Sequence, residues 1–413
     1  MADKRWWSLL GLLFVLSLVL RHEMLFLFAI LLTLASGASV LWFRYCLHGV
    51  TYKRRLKDER IFGGEETELT IDVVNAKPLP LPWLLIRDRF PKEITLLTGA
   101  LDGAQQREAA AQQQETSVLN LTDLLALRWY ERVQRTYRVR GEQRGAFTFG
   151  PAAITAGDIF GFGRKQAHIE TTDRLIVYPR IVPIDRLALP AERPSGEMKA
   201  LRRVIEDPLR MATVREYVPG DSIRHIHWKN TARLNQLQTK VFDPSSTPVL
   251  ALFVDLQTVH NPYGLITEYL ELGISAAASI AIHALDLRHA VGVYANGGPR
   301  GANNWTMIPP GRSPGQGSQI LEALAPLFGF RLIPLYQLLR RLMPSLPYGC
   351  TVVAISAQAT EALLSSLLTL QDAGHPVVLL TVGDDRPEIP DTFATHHLGG
   401  RDAWRRLETL ELA

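Results

Sequence analysis

The segment VLALFVDL, residues 249–256, decides the fold of the C-terminal half of the chain. Its first six residues are all apolar, so a strand formed here has no face that is suited to water. Such runs are typical of parallel sheets that are covered by helices on both sides. We therefore predict a buried strand at this position.

Strands and helices alternate downstream of this segment. Apolar runs predict strands at residues 291–295, 351–356 and 377–382. Helical patterns predict helices at residues 263–287, 319–327 and 361–373. The alternation predicts a doubly wound α/β domain, which together with the polar segment before it occupies residues 191–413.

Residues 51–190 have a different pattern, in which short β-rich stretches are separated by glycine and proline. Leu69, Ile71 and Val73 alternate with polar residues, as expected of a half-buried strand. The predicted strands include residues 68–74, 83–87, 135–140 and 175–178. We expect a β-sandwich-like domain, with residues 104–114 as a solvated loop or a frayed helix.

Residues 1–50 contain two apolar runs, 6–20 and 24–43, which predict a transmembrane α-hairpin. The second run has the ~20 residues that cross a bilayer, whereas the first is shorter. Tryptophan and tyrosine lie at the ends of the runs, where interfacial aromatic residues are common. A cleaved signal peptide is disfavoured, because no small-residue cleavage site precedes Arg21 and a second apolar run follows at once.

Basic residues predict the orientation of the hairpin. Lys4 and Arg5 precede it, and only Arg21 lies in its turn. The basic residues that follow it are Arg44, Lys53, Arg54, Arg55, Lys57 and Arg60. The positive-inside rule therefore places both ends of the hairpin and both folded domains in the cytoplasm, as parts of a cell-membrane protein with two transmembrane helices.

The overall composition excludes some classes of partner and site. The net charge of +4 suits an anionic membrane surface, but the basic residues form no tract interleaved with aromatic residues, so nucleic-acid binding is not expected. The two cysteines, Cys46 and Cys350, are far apart and have neither disulfide-framework nor metal-ligand spacing.

The densest polar stretch is REYVPGDSIRHIHWKNTAR, residues 215–233, which we name the signature segment. In one interpretation Trp228 and Ile226 pack onto the sheet, and an aspartate pairs with a neighbouring arginine. In the other, the segment is a docking surface for a protein or an anionic group. The candidate partner-binding residues are Asp221, Arg224, Trp228, Lys229 and Arg233. His225 and His227 have no further metal-ligand residues at the right spacing.

Common catalytic motifs are missing from the sequence. The glycine-rich piece at residues 297–301 lacks the lysine and hydroxyl residue of a P-loop and reads as a hairpin or connecting loop. No Gly-x-Ser-x-Gly motif occurs, and neither cysteine has a local catalytic signature. We therefore expect no enzymatic activity and no cofactor, and the sequence identifies no small-molecule substrate.

The chain resembles domain-of-unknown-function family 58. The resemblance is carried by Pro219-Gly220-Asp221, RHIHWK at 224–229 and Ala-Arg at 232–233, with RGAF at 144–147, Gly-Pro at 150–151 and DIFG at 158–161 upstream. It implies a membrane hairpin, a β-domain and a von Willebrand factor A-like α/β domain. It also implies association with MoxR-type AAA ATPases in the assembly or maturation of protein complexes.

The resemblance to von Willebrand factor A-like domains also allows one possible metal site to be checked in the sequence. Metal-binding members of that fold use an Asp-x-Ser-x-Ser motif after the first strand, and here the segment is DLQTV at 255–259. Asp255 is present, but Gln257 and Val259 replace the serines and Thr258 is one position out of phase. Asp255 is therefore interpreted as a degenerate ion-site position, and no bound metal is expected.

Three functions follow from these observations. The first is a non-enzymatic, membrane-anchored adaptor or scaffold that docks a cytoplasmic protein, in particular a MoxR-type AAA ATPase. The second is a metal-dependent adhesion-type binding module. The third is a hydrolase or transferase whose active site has no recognisable motif.

The orientation can be tested with a reporter cysteine near Arg401. Because the charge asymmetry places this region in the cytoplasm, an impermeant thiol reagent should leave the reporter unmodified in intact cells and modify it after permeabilisation. Labelling of intact cells at a comparable rate would show that the topology is inverted.

Overall fold

The computed structural model describes residues 4–21, 23–98, 118–157, 163–187, 211–218, 226–242, 248–261, 264–390 and 392–412. Two compact units are formed, Met1–Tyr178 and Pro179–Ala413. The first unit ends twelve residues before the boundary predicted at residue 190, and residues 184–187 pair with a C-terminal strand of the second unit. The predicted solvated loop at 104–114 lies outside the described residues.

Two apolar helices begin the first unit, α1 (Lys4–Val19) and α2 (Glu23–Tyr45). The helices contact each other, and the ring centroids of Phe14 and Phe26 are 5.3 Å apart. Among the described helices, α2 is long and apolar enough to cross a membrane, whereas the apolar part of α1, Trp7–Val19, is shorter. The 23 residues of α2 extend roughly 34 Å at the usual helical rise, which is enough to cross the hydrocarbon core of a bilayer.

The rest of the first unit is β-structure around one hydrophobic core. Its described strands are β1 Val50–Leu56, β2 Arg60–Phe62, β3 Glu66–Asn75, β4 Leu81–Pro91, β5 Ile94–Thr98, β6 Val118–Leu127, β7 Arg132–Gly141, β8 Gly145–Phe149, β9 Ala152–Gly157, β10 Arg164–Ile169 and β11 Asp173–Tyr178. Two antiparallel sheets have the orders β1-β3-β7-β5 and β10-β9-β4-β6, and a third sheet has the order β2-β11-β8. The predicted strands at 68–74, 83–87, 135–140 and 175–178 are confirmed within β3, β4, β7 and β11.

A buried arginine joins these three sheets. The Nη1 atom of Arg54, on β1, lies 2.5 and 2.6 Å from the two carboxylate oxygens of Asp88 on β4. Its Nε lies 2.8 Å from Asp173 on β11, and its Nη2 donates to the carbonyl oxygens of Phe149 and Thr171 at 2.9 and 3.1 Å. Every N–H group of the guanidinium therefore has an acceptor.

This position corrects the interpretation of Arg54 as a juxtamembrane charge, because its side chain is only 1% exposed. The partners are distant in sequence, so the local pattern of basic residues gave no sign of the pairing. The other basic residues after α2 are exposed, and they are Arg44, Lys53, Arg55, Lys57 and Arg60. The charge asymmetry across the apolar segment therefore persists without Arg54.

The second unit contains the predicted alternation of strands and helices. Its strands are β12 Ile184–Leu187, β13 Met211–Glu216, β14 Gln238–Phe242, β15 Val249–Val254, β16 Ala290–Ala295, β17 Thr306–Gly311, β18 Thr351–Ser356, β19 Val377–Thr381, β20 Ala394–His397 and β21 Leu410–Leu412. Its helices are α3 Trp228–Leu234, α4 Thr267–Asp286, α5 Gln316–Leu324, α6 Leu335–Leu342, α7 Glu361–Asp372 and α8 Arg401–Arg405, with a short 3₁₀ turn at Met343–Ser345.

The central sheet of this unit has the order β17-β16-β15-β18-β19-β20, and all of its pairs are parallel except β16 with β17. Phe253 and Ala354 belong to a core that includes α6 and α7. Ile355 faces the other side, where α4 approaches it so closely that a Cβ on Gly273 would lie 3.5 Å away. Helices therefore cover both faces of the sheet, which explains the apolar strands.

Most predicted elements of this unit are observed, with shifted ends. Residues 351–356 form β18 as predicted, the helix predicted at 319–327 is α5, and the helix predicted at 263–287 begins at Thr267. The glycine-rich loop at 297–301 connects β16 to the antiparallel β17. Helix α6 was not predicted, because it has eight residues and gains stability mainly from its buried leucines.

Replacing Arg54 tests whether the buried ion pair holds the β-rich unit together. Arg54→Ala leaves Asp88 charged and buried without its partner, which should lower the free energy of unfolding by ~3–5 kcal/mol. Arg55→Ala, at the exposed neighbouring position on the same strand, should change it by no more than ~0.5 kcal/mol. Chemical denaturation of the full chain in detergent micelles measures both. Equal midpoints would contradict a structural role for the pair.

Candidate functional site

The signature segment ends in a short helix whose start is fixed by hydrogen bonds. His227 is the N-cap of α3, and its Nδ1 accepts from the Asn230 N–H group at 3.1 Å. Its own backbone N–H group donates to Gln238 on β14 at 2.8 Å. The preceding Ile226 is buried and forms a bridge with Thr239. His227 therefore has a structural role in this arrangement.

The side chains of α3 point to solvent. Trp228 is 66% exposed, and Lys229 and Arg233 are also exposed. The expectation that Trp228 packs onto the sheet is therefore wrong, whereas Ile226 is buried and bridges to β14, a strand outside the central sheet. Helix α3 has no buried residue, and the hydroxyl of Thr231 accepts from the Gln238 N–H group at 3.0 Å, which connects the helix to β14. Asp221 and Arg224, the other two candidate residues, lie outside the described residues.

The exposed surface around α3 is apolar and basic. Strands β13 and β14 form a hairpin, and α3 lies in the segment between them. Besides Trp228, this segment exposes the apolar side chains of Val218, Leu234 and Leu237. Residues 226–242 contain three basic residues, at 229, 233 and 240, and no acidic residue, while Glu216 at the end of β13 is exposed. A surface of this composition suits a partner with apolar and acidic side chains. We name it the α3 surface.

A second polar cluster lies where three neighbouring strands end. Asp255 follows β15, Asn296 follows β16, and Ser356 ends β18. The carboxylate of Asp255 accepts from Asn296 Nδ2 at 2.7 Å, from Ser356 Oγ at 2.8 Å and from the Gln257 N–H group at 3.1 Å. Asn296 also accepts from the Leu256 N–H group at 2.9 Å. The cluster therefore ties the carboxyl ends of three strands together.

The described side chains around Asp255 leave few free ligand atoms for a divalent cation. The carboxylate of Asp255 already accepts three hydrogen bonds, which leaves roughly one of its four acceptor sites for a cation. The Gln257 side chain donates instead to Val259 and His260 carbonyl oxygens, and the Thr258 hydroxyl accepts from Ile266. Among the described residues, no group of three or more His, Cys, Asp or Glu side chains could hold a metal ion.

The environment of Asp255 also disfavours a bare negative charge. Burial raises the pKa of its carboxyl group above the usual value, while the hydrogen bonds from Gln257, Ser356 and Asn296 oppose the rise. A carboxyl group at this edge of an α/β sheet is in the position where ligands commonly bind. Here its hydrogen bonds are made within the protein.

Cys350 and His375 form a buried pair that differs from a catalytic dyad. The Cys350 sulfur lies 3.5 Å from His375 Nδ1. Burial raises the pKa of the Cys350 thiol to about 12, so the thiol is protonated at neutral pH. Because the thiolate is the nucleophilic form, this cysteine is unsuited to attack a substrate.

The sequence pointed to one member of the sheet-edge cluster and missed two. Asn296 and Ser356 each end an apolar run that was predicted as a strand. In parallel strands the carboxyl ends meet at one edge, so polar residues at the ends of neighbouring strands are the signal that would have identified them. The order of the strands was needed to show that they are neighbours.

Comparison with known proteins agrees with the family resemblance over part of the chain. Residues 213–392 match the family described as "Protein of unknown function DUF58". This stretch includes α3, the sheet-edge cluster and most of the central sheet. The chain is also 26% identical over 267 residues to the uncharacterized protein YeaD of Bacillus subtilis (strain 168), which covers 61% of this chain. The chain spans 62% of the length of that relative.

Solved structures with similar parts align weakly. The CARDB domain of the PF1109 protein from Pyrococcus furiosus is 12% identical and covers 31% of this chain and 91% of that chain, with a TM-score of 0.20. A fragment of Escherichia coli alpha-2-macroglobulin is 17% identical and covers 32% of this chain and 24% of that chain, with a TM-score of 0.23. Residues 213–392 are the part of the chain that matches the DUF58 family.

Proposed function

We propose that this protein is a non-enzymatic, membrane-anchored adaptor that presents the α3 surface to a cytoplasmic protein partner. The exposure of Trp228 is the single observation that carries the proposal. Large aromatic side chains are usually buried in monomers, and exposed ones flanked by basic residues are typical of protein interfaces. A MoxR-type AAA ATPase is the partner that the family resemblance implies.

Anchoring through both N-terminal helices is the second part of the proposal. Helices α1 and α2 contact each other, and both expose leucine, valine and phenylalanine side chains along their lengths. Exposed apolar surface of this extent is unfavourable in water and suits lipid. In this arrangement α1 crosses the bilayer with α2 as a hairpin. The basic residues at Arg44, Lys53, Arg55, Lys57 and Arg60 keep the folded units in the cytoplasm.

The von Willebrand factor A-like fold is also part of the proposal for the second unit. It is supported by the parallel sheet with helices on both faces and by Asp255 at the end of the first strand of the sheet. In an adaptor the sheet-edge cluster would stabilise the loops after the strands rather than bind a cation. In the metal-dependent alternative a cation would share the Asp255 carboxylate with those hydrogen bonds or displace some of them.

Trp228→Ala tests the adaptor role. Because Trp228 is exposed, its replacement by alanine should change the free energy of unfolding of the full chain by no more than ~0.5 kcal/mol. Binding of a purified MoxR-type AAA ATPase from the same organism should weaken ~30-fold, the loss expected for an interface hot spot of about 2 kcal/mol. Binding to the chain in nanodiscs can be measured by biolayer interferometry.

Tyr348→Ala is the matched control for this experiment, because Tyr348 is an equally exposed aromatic residue in the same unit, at 65% against 66%. It should change neither binding nor stability. If Trp228→Ala instead lowered stability by ~3 kcal/mol, the residue would be part of a core, and the docking role would lose its support. Unchanged binding in both variants would refute docking at the α3 surface.

Thermal melts with metal separate the adaptor from the metal-dependent alternative. A site with micromolar affinity would stabilise the folded state by ~4 kcal/mol at millimolar metal. Because Asp255 is already engaged by three donors, melts of the full chain in detergent with millimolar Mg²⁺, with Mn²⁺ or with chelator should superimpose. A rise of several degrees that is lost in Asp255→Ala would favour the adhesion-type module.

A further inference from the structure

The first unit carries an exposed aromatic turn between β6 and β7. Trp129 is 66% exposed and Tyr130 is 69% exposed, and Arg128 beside them is also exposed. We name these three residues the aromatic tip. The backbone of the turn is held firmly, because Asn75 Nδ2 donates to Arg128 O at 2.7 Å and the Tyr130 N–H group donates to Lys77 O at 3.2 Å. The two aromatic side chains are therefore presented outward from a fixed backbone.

The strand registers place this tip at the end of the β-structure from which α2 leaves. Val50, the first residue of β1, pairs with Asn75 at the end of β3. Val74 on β3 in turn pairs with Arg132 at the start of β7. The turn before β7 therefore lies level with the start of β1, two strand spacings away, or about 10 Å.

Lys77 connects the turn directly to the end of α2. Its backbone oxygen accepts from Tyr130, while its ammonium group donates to Cys46 O at 2.5 Å and His48 O at 2.9 Å. On the other sheet, Lys165 donates to Arg44 O at 3.2 Å. Lysines at this position satisfy the free carbonyl groups at the helix C-terminus and complement its dipole. The helix end and the aromatic tip are thus parts of one hydrogen-bonded assembly.

We propose that the aromatic tip inserts into the interfacial region of the bilayer that α2 crosses, as a second contact between the first unit and the membrane. This inference rests on the proposed membrane anchoring. Tryptophan and tyrosine favour the headgroup level because their rings are apolar and their N–H and O–H groups remain hydrated. Arg128 adds a cation suited to anionic lipid headgroups. Two contacts, unlike one, fix the tilt of the β-structure on the membrane.

Quenching by nitroxide lipids tests this contact in the full chain reconstituted into nanodiscs. An environment-sensitive fluorophore is attached at Arg128→Cys, which keeps both aromatic side chains. The native cysteines are buried, so background labelling should be low. The fluorophore at residue 128 should be quenched by nitroxide at the headgroup level at least three-fold more than one at Gln143→Cys. Gln143 is exposed in the turn after β7, a strand length of about 30 Å away.

Two further variants separate the possible failures. A fluorophore at Leu34→Cys, an exposed position on α2, should be quenched by nitroxide deep in the acyl chains. Replacing both Trp129 and Tyr130 with serine should reduce quenching at residue 128 toward the level at 143 without changing quenching at 34. If the fluorophore at residue 34 is quenched but those at residues 128 and 143 are quenched equally, the contact of the aromatic tip is refuted and the anchoring is not. No deep quenching at 34 would refute the anchoring and, with it, the tip contact.

Discussion

The first unit depends on the ion pairs that the guanidinium of Arg54 makes with Asp88 and Asp173. Arg54 lies on the first strand after α2 and makes ion pairs with a strand of the second sheet and a strand of the third. An unpaired charge at this depth would cost several kcal/mol, so the three sheets must keep the positions that supply its acceptors. A hydrophobic residue could fill the same space, but it would not fix the directions of Asp88 and Asp173. The ion pair therefore defines how the sheets are arranged.

In the sheet-edge cluster, as around Arg54, buried polar groups are satisfied by partners within the protein. Asp255, Asn296 and Ser356 lie where an α/β sheet usually offers a ligand site, yet their polar atoms bind one another. Asn296 is fully buried and also holds the Leu256 N–H group. Because a buried polar group without a partner is costly, satisfying these atoms internally removes much of the gain that a cation or a substrate would otherwise provide. The edge of the sheet that commonly binds ligands in α/β proteins here carries hydrogen bonds that connect the ends of three strands.

Sequence patterns predicted elements well where burial follows a local period, and poorly where it depends on distant partners. The apolar runs at 249–256 and 351–356 were recognisable because both faces of their strands are covered. Arg54 looked like a membrane-flanking charge, since its partners lie 34 and 119 residues away. Trp228 looked like a core residue for a similar reason, because a large aromatic side chain is usually buried. Its neighbour Ile226, which the sequence also predicted to pack, is the residue that is buried.

The end of α2, the described helix that is long and apolar enough to cross a membrane, is part of the folded core of the first unit. Four residues separate α2 from β1, and among them Cys46 is buried in the core of the β-structure. Two further features hold the joint, since Lys77 binds the carbonyl groups of the linker and Phe43 approaches Gly163 so closely that a Cβ there would lie 2.9 Å from its ring. A flexible linker would let a helix and the domain that follows it reorient freely. Here the helix terminus completes the core, so the orientation of the helix fixes the orientation of the first unit.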